Sequence, residues 1–501
     1  MYDYDTHIED PLVRENVFRS MPREEVALPT FAGARGQLPE PFWGGHATAL
    51  DCYWKTWELA FQNLRRPTAE NGFVANYIDT AFNDCLFMWD SAFILLFARY
   101  GSRAFGFQRT LDNLYAKQHK DGFICREIRE ADGSDQFCRF DPASTGPNIM
   151  PWTEWESYLT HGDRERLAHV FPVLVAYHRW LRLYRSWPDG TYWASGWACG
   201  MDNQPRVEGA EEYAWWYHGH LVWVDTCMQQ AFSARLLLRM AEVLGRESVV
   251  ADMAQELERL MRVVNDTLWD ERSAYYYDRW PDGHLGETKT IGAYWALLAD
   301  LVPPERLPRF IAHLDASAEF NRPHRAPSLS ADHPSYHAEG GYWLGGVWPP
   351  TNYMLLRGLQ HVGYGELAHE IALNHVTNVV KVYERTGTLW ENYAPEAAAP
   401  GKPAKGDFVG WGGLGPVAVL LEYVFGLQPD VQHSRLTWDV RLAEEHGVRR
   451  YPFGANGLLD LFCPARSSAA ERPQIRAHST TPVDLVVRWQ GGTETLRLGG
   501  G

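Results

Sequence analysis

The chain has 501 residues, of which 45% are hydrophobic and 22% charged, enough for a large core and for more than one domain. The formal net charge of -16 argues against a nucleic-acid or anionic-membrane partner, because both need clustered Lys and Arg. No window approaches about 18 uninterrupted apolar residues, so no membrane span is expected. This composition fits a soluble enzyme with a neutral substrate.

The seven cysteines are thinly spread and include no CxxC pair. This pattern predicts reduced thiols in a cytoplasm, and neither a disulfide framework nor a zinc site. The acidic stretch from Met1 to Leu12 lacks the apolar region of a signal peptide. We therefore expect a cytoplasmic protein, and the sequence leaves its oligomeric state open.

Three regions follow one another along the chain. Residues 1–45 are irregular and rich in Pro and Gly, and are interpreted as an N-terminal arm or short strands that pack on the main body. Residues 46–428 show helical periodicity, and residues 429–501 show the alternation of β-strands. Twelve helices are predicted, near residues 50–64, 88–100, 103–118, 151–160, 163–186, 224–245, 247–268, 287–301, 304–315, 350–363, 365–386 and 412–426. Twelve helices make six hairpins, so the predicted fold is all-α, an (α/α)6 barrel with a small C-terminal β appendage.

Two loops between predicted helices combine a carboxylate with aromatic and small residues. One is Ser195–Arg206, which contains Asp202, and the other is Leu389–Pro395, which contains Glu391. Both loops connect an odd-numbered helix to the next even-numbered one, so both fall at the same end of such a barrel. Cleavage of a glycosidic bond needs two carboxyl groups, which makes this pair a candidate. The simpler reading is that the Asp forms a turn and that the Glu is solvated.

Four segments resemble the glycoside hydrolase clan of trehalases, family 63 processing α-glucosidases and mannosylglycerate/glucosylglycerate hydrolases. They are Phe87–Phe93, Gly200–Arg206, Tyr342–Tyr353 and Trp390–Tyr393, and the likeness extends over roughly residues 85–415. The resemblance implies an (α/α)6 barrel that inverts the anomeric configuration, with Asp202 as general acid and Glu391 as general base. The chain departs from the family pattern at Gln204 and at Trp197-Ala198-Cys199, which bears on the substrate.

Eleven further residues are candidates for substrate contact. They are Trp89, Asp90, Gln118, Arg126, Trp152, Asn203, Arg206, Trp343, Trp348, Tyr393 and Trp411. The resemblance implies that Asp90 accepts hydrogen bonds from sugar hydroxyls, although a first-turn carboxylate also suits the helix dipole. Arg206 could bind an acidic aglycone or hold the acid loop. For the aromatic candidates the alternatives are sugar stacking and burial in the core.

The sequence thus predicts an inverting, exo-acting hydrolase of a small α-glucoside or α-mannoside, either glucosylglycerate-like or a disaccharide. No metal and no cofactor are expected, because no HExxH, P-loop, GxGxxG or GxSxG motif is present. The expected partner is a small carbohydrate. Two alternatives stay open: another sugar enzyme on the same barrel, such as an epimerase, lyase or phosphorylase, and a non-catalytic sugar-binding protein.

Overall fold

Helices are the predominant regular element of the computed structural model, which describes residues 8–209 and 215–499. Twelve helical segments of these residues each overlap a predicted helix, whereas short turns such as Phe31–Ala34 and Gly196–Cys199 overlap none. The segments are α1 (Ala47–Gln62), α2 (Met88–Ala98), α3 (Thr110–Ala116), α4 (Met150–His161), α5 (Arg164–Tyr184), α6 (Val224–Leu244), α7 (Ala251–Thr267), α8 (Trp295–Leu298), α9 (Leu307–Ala312), α10 (Pro349–His361), α11 (Gly365–Thr386) and α12 (Leu414–Val424).

Six helices contact one another in a closed cycle. The order of contact is α2, α4, α6, α8, α10, α12 and back to α2. Every residue of α2 and of α12 is buried, as expected for helices that are apolar all round and enclosed on every side. This cycle of alternate helices is consistent with a helical toroid.

The intervening helices are amphipathic where they are long. In α7 the buried residues are Met253, Glu256, Leu260 and Val264, which recur every three or four positions and define one inward face. At the start of α5, Asp163 caps the helix by accepting a hydrogen bond from the backbone N–H of Arg166. This confirms the start signal in the sequence.

Eight strands form two four-stranded sheets, and seven of them follow α12. They are β1 (Glu40–Trp43), β2 (Leu427–Asp430), β3 (Arg435–Asp439), β4 (His446–Phe453), β5 (Gly457–Cys463), β6 (Arg476–Ser479), β7 (Val483–Trp489) and β8 (Gly492–Leu498). One sheet has the order β1-β4-β5-β6 and is antiparallel throughout. The other has the order β8-β7-β3-β2, with a parallel pair between β7 and β3.

The description of the chain as all-α needs correction. The N-terminal region contributes β1, which pairs with β4 so that Glu40 lies opposite Arg449 and Trp43 opposite His446. This four-residue strand agrees with the short strands that were one interpretation of the N-terminal region. The predicted boundaries at residues 45 and 428 stay predictions.

The β sheets pack against one end of the helical ring. The Tyr100 ring, just beyond the C-terminus of α2, lies 5.5 Å from the Tyr451 ring of β4. Near the end of α4, the Thr160 carbonyl accepts a hydrogen bond of 2.8 Å from the backbone N–H of Gly454. The N-termini of α2 and α4 therefore point to the opposite end. No helix in the two described ranges is both long and apolar enough to cross a membrane.

Candidate active site

The acid loop begins with the short helix Gly196–Cys199. Its first turn is capped by the Ser195 hydroxyl, which accepts from the backbone N–H of Ala198 at 3.3 Å. The helix ends at Gly200 with φ +80°, a conformation that glycine adopts without strain. A Cβ at this position would lie 2.9 Å from Cε2 of Trp89, so the close approach also requires glycine. This turn fixes the backbone two residues before Asp202.

The side chain of Asn203 ties the acid loop to a second loop. Its amide nitrogen donates to the Gly341 carbonyl at 3.0 Å, and its amide oxygen accepts from the backbone N–H of Trp343 at 2.9 Å. The neighbouring Gln204 donates to the Ser328 carbonyl at 2.6 Å. These bonds hold Asp202 against the segment that carries Tyr342 and Trp343.

The carboxylate of Glu391 has two hydrogen-bond donors. The Tyr342 hydroxyl donates to Oε1 at 3.1 Å, and the backbone N–H of Lys405 donates to Oε2 at 3.1 Å. The indole N–H of Trp411 donates to the Glu391 carbonyl at 2.8 Å and fixes the backbone. Tyr342 itself has φ +67°, which a tyrosine rarely adopts. Its backbone strain is held by the surrounding loop, in the manner often found at functional sites.

Asp202 and Glu391, far apart in the sequence, line one cavity of about 870 Å³. Asp90, at the N-terminal end of α2, and Glu127 bring the carboxyl groups in the described part of its wall to four. Glu127 lies on a short strand, Glu127–Arg129, that pairs with Cys85–Phe87 directly before α2. This pairing brings the loop after α3 to the same end of the ring as Asp90.

The surroundings of the two predicted catalytic carboxyl groups shift their pKa values. Burial raises the pKa of Asp202 to about 7, with Arg126 opposing the change and Glu391 adding to it. Burial also raises the pKa of Glu391, against the effect of the Lys405 N–H and the Tyr342 hydroxyl. Asp202 can therefore carry a proton near neutral pH, while two donors favour the ionised form of Glu391.

Arg126 lies at the wall beside Asp202 and Asp90. Its Nε donates to Oε1 of Glu127 at 2.7 Å, its Nη2 donates to the same carboxylate, and its Nη1 donates to the Trp197 carbonyl. Because opposite charges stabilise the ionised form, Arg126 works against the effect of burial on the pKa of both aspartates. Burial prevails at Asp90, whose pKa lies well above its ordinary value.

Six of the eleven candidate contact residues line the cavity. They are Trp89, Asp90, Arg126, Asn203, Trp343 and Trp411. The other five lie outside its lining, and their side chains contact the protein instead. They are Gln118, Trp152, Arg206, Trp348 and Tyr393.

Arg206 lies in a buried ion-pair cluster. It contacts Asp225 at 2.7 Å and Asp278 at 2.6 Å, and its guanidinium lies 4.2 Å from the centre of the Trp223 ring. This corrects the expectation that Arg206 could hold an acidic aglycone. Of the two readings in the sequence, the one in which Arg206 holds the acid loop agrees with these contacts.

Two polar or aromatic candidates belong to the helical core. Gln118 donates to the carbonyls of Gly122 at 3.1 Å and Val173 at 2.9 Å, so it secures the turn after α3. Trp152 is 1% exposed and stacks on Tyr353, with ring centroids 5.6 Å apart. Neither side chain reaches the cavity wall.

Trp348 and Tyr393 form a supporting layer behind the wall. The Trp348 ring stacks on the Trp343 ring at 3.8 Å, and its N–H donates to the Tyr342 carbonyl at 3.2 Å. Tyr393 is buried, and its backbone bonds with that of Val347. Trp343 thus lines the cavity, and Trp348 packs against the Trp343 ring from outside the lining.

Several wall residues were not identified from the sequence. They are Phe82, Glu127, Gln136, Phe137, Trp197, Trp215, Tyr342 and Lys405. Tyr342 and Trp197 stand in segments that the sequence had already singled out, so only their roles were missed. For Lys405 and Phe82 the sequence gives no signal, because loops far apart in the chain bring them to the cavity.

A model described as a mannosylglycerate hydrolase MGH1-like glycoside hydrolase domain matches residues 85–411. Mannosylglycerate hydrolase of Thermus thermophilus is 23% identical over 62% of this chain and 88% of its own. An uncharacterized protein of Borreliella burgdorferi is 22% identical over 72% of this chain and 75% of its own.

Solved structures show the same fold. A GH63 mannosylglycerate hydrolase of Thermus thermophilus, in complex with Tris and D-glycerate, superimposes with a TM-score of 0.60 at 21% identity, over 72% of this chain and 98% of that one. A GH78 family rhamnosidase of a Bacillus species gives 0.65 at 13% identity, over 90% of this chain and 42% of that one.

Proposed function

The chain belongs to the family of mannosylglycerate hydrolase MGH1-like glycoside hydrolases, and we propose that it hydrolyses a small α-glucoside or α-mannoside with inversion on an (α/α)6 barrel. Membership confirms the resemblance drawn from the four sequence segments. The chain is therefore a glycoside hydrolase, and its substrate is a carbohydrate. The sugar, the linkage and the stereochemical course belong to the proposal.

The observation that carries the proposal is the contrast between the two carboxyl groups in one cavity. Asp202, with a pKa of about 7, holds a proton that it can donate to the glycosidic oxygen. Glu391 is held by the Tyr342 hydroxyl and the Lys405 N–H, which favour the ionised form that a general base needs. Burial raises the pKa of both carboxyl groups, and the two donors at Glu391 oppose that rise.

In the proposed reaction Asp202 protonates the glycosidic oxygen as the bond from that oxygen to the anomeric carbon breaks. Glu391 takes a proton from a water molecule on the opposite face of the ring. The oxygen of that water bonds to the anomeric carbon, which inverts its configuration. This course requires about 6.5–9.5 Å between the two carboxyl groups, to leave room for the water.

The cavity supports exo-action on one terminal sugar. Trp89, Trp343 and Trp411 supply aromatic surface around Asp90, whose carboxyl group can bond to sugar hydroxyls. These residues line the same cavity as the proposed acid and base. The cytoplasmic location, the three-part division of the chain and the absence of a metal or cofactor stay predictions.

The test is a panel of α-glucosides and α-mannosides, with the released sugar followed by NMR. We expect hydrolysis of at least one member and, in the first seconds, the β-anomer as product. The α-anomer as first product would refute the inverting mechanism. A phosphate-dependent cleavage would instead favour the phosphorylase alternative.

A further inference from the structure

Carboxyl groups outnumber cationic side chains in the described part of the cavity wall. Its described lining includes the four carboxyl groups of Asp90, Glu127, Asp202 and Glu391, and two cationic side chains, those of Arg126 and Lys405. Residues 210–214, between the described ranges, contain two Glu and neither Lys nor Arg. An anionic group in this cavity would need a cation whose hydrogen bonds are not already taken.

Both cations of the described lining are engaged by the protein. Arg126 uses Nε and Nη2 for Glu127 and Nη1 for the Trp197 carbonyl. The ammonium group of Lys405 donates to the Phe82 carbonyl at 2.7 Å and lies 5.3 Å from the centre of the Phe82 ring. To bind a carboxylate, either side chain would first have to give up these contacts.

The wall on the acid side is aromatic. Trp197, five residues before Asp202, lies 5.9 Å from Trp215 and 5.8 Å from Phe137 between ring centroids. The backbone N–H of Trp197 donates to the Trp215 carbonyl at 2.9 Å, which fixes the two tryptophans relative to each other. Both are partly exposed and line the cavity.

This aromatic group lies on the side where the aglycone leaves. A general acid delivers its proton to the oxygen that joins the sugar to the aglycone. Trp197 and Asp202 share one loop, whereas Glu391 is held by Tyr342 and Lys405 from other loops. The aglycone therefore lies beside Trp197, Trp215 and Phe137. The guanidinium of Arg126, 5.4 Å from the centre of the Phe137 ring and 6.0 Å from that of Trp197, is already paired with Glu127.

We propose that the aglycone site takes an uncharged sugar ring stacked on Trp197 and Trp215, and that it discriminates against an anionic aglycone such as glycerate. The inference rests on the proposed hydrolase function and names its substrate class, a neutral disaccharide or the neutral end of an oligosaccharide. Aromatic faces bind the C–H faces of sugar rings without a charge partner, whereas a carboxylate here would meet only cations that the protein already engages among the described residues of the lining.

The first test compares matched substrates that share the terminal sugar hydrolysed in the panel. Glycosides of glycerol and of glycerate differ in charge at nearly constant size, so their kcat/KM ratio isolates the charge. We expect the glycerate glycoside to be at least about tenfold poorer, because its carboxylate would lose water at this site without gaining a cation that the protein has left unengaged. Comparison of a methyl glycoside with a disaccharide isolates the contribution of a sugar ring in the aglycone. We expect kcat/KM to be at least about tenfold higher for the disaccharide.

The second test removes the stacking surface. Trp197→Ala should lower kcat/KM about tenfold for the disaccharide and leave the methyl glycoside nearly unchanged, with Trp197→Phe in between. Trp280→Ala is the matched control, because Trp280 is a partly exposed tryptophan that stacks on His284 outside the cavity lining. Trp280→Ala should leave kcat/KM unchanged for both the disaccharide and the methyl glycoside.

The outcomes distinguish a failure of the proposed aglycone specificity from a failure of the proposed hydrolase function. Hydrolysis of the glycerate glycoside as fast as that of the glycerol glycoside would overturn the inference but leave the hydrolase function intact. An equal effect of Trp197→Ala on methyl glycoside and disaccharide would also overturn it, since the tryptophan would then support the acid loop alone. Failure to hydrolyse any member of the panel would refute the proposed function, and this inference with it.

Discussion

Replacing Gly200 with alanine tests whether the turn before Asp202 positions the acid. At φ +80° an alanine costs about 1–2 kcal/mol in backbone strain. The new Cβ would also stand 2.9 Å from Trp89, and such overpacking costs about 1–3 kcal/mol. We therefore expect Gly200→Ala to lower the free energy of unfolding by about 2–5 kcal/mol.

Gly245→Ala supplies the matched control. Gly245 also ends a helix at positive φ, +69°, but a Cβ there would meet nothing within 4 Å. Gly245→Ala should lower the free energy of unfolding only by the cost of backbone strain, about 1–2 kcal/mol, and should keep full activity. The difference between the two variants therefore measures the contact with Trp89.

The assay is urea unfolding of both variants, followed by kinetics at a temperature where both are folded. Because a shift of about 1 Å in a catalytic group can reduce the rate about 100-fold, Gly200→Ala should lose about that factor in kcat/KM. Equal losses of stability and unchanged activity in both variants would refute the reasoning. The acid loop would then tolerate displacement of its helix end.

Three further predictions concern charged groups. Asp202→Asn and Glu391→Gln should each lower kcat by orders of magnitude and leave thermal stability nearly unchanged. Kinetic assays and thermal unfolding of both variants check this. A variant that keeps the wild-type kcat would exclude its residue from catalysis. The kcat/KM of the wild type should fall above about pH 7 as Asp202 loses its proton, so a profile that stays level to pH 9 would contradict its role as acid. Arg206→Ala should destabilise the protein by about 3–5 kcal/mol, because Asp225 and Asp278 keep buried charges without their partner. Chemical denaturation measures that loss. A change in selectivity between charged and neutral substrates, without a loss of stability, would argue against the structural role of Arg206.

The helical architecture was largely predictable because each helix shows a local periodicity of apolar residues in the sequence. All twelve predicted helices overlap observed ones, and the long helices α5, α6 and α11 agree within a few residues. The short segments α8 and α9 begin and end inside their predicted ranges, since neighbouring turns there carry the same apolar spacing. Short strands were one interpretation of residues 1–45, but the pairing of β1 was not predicted, because its partner lies in the C-terminal sheet, which no local pattern can indicate.

The site was predictable only where a residue's role follows from its own segment. Asp202 and Glu391 stand in recognisable motifs, and the structure brings both to one cavity. Trp343 and Trp348 look alike in the sequence, yet one lines the cavity and the other stacks behind it. The partners that fix Arg206 come from other segments of the chain. Its charge therefore suggested an anionic ligand, whereas the fold pairs it with two aspartates.

The pairing of β1 with β4 joins segments that are roughly 400 residues apart in sequence. During synthesis β1 emerges long before the strand against which its backbone groups will bond, and α2 likewise waits for α12 before the ring closes. Until then an unpaired strand edge and apolar helix faces are open to other chains. Because the loop that carries Glu391 lies between α11 and α12, the cavity can assemble only after nearly the whole ring has been made. Enzymatic activity regained during refolding should therefore be among the last signals to recover, after helical circular dichroism.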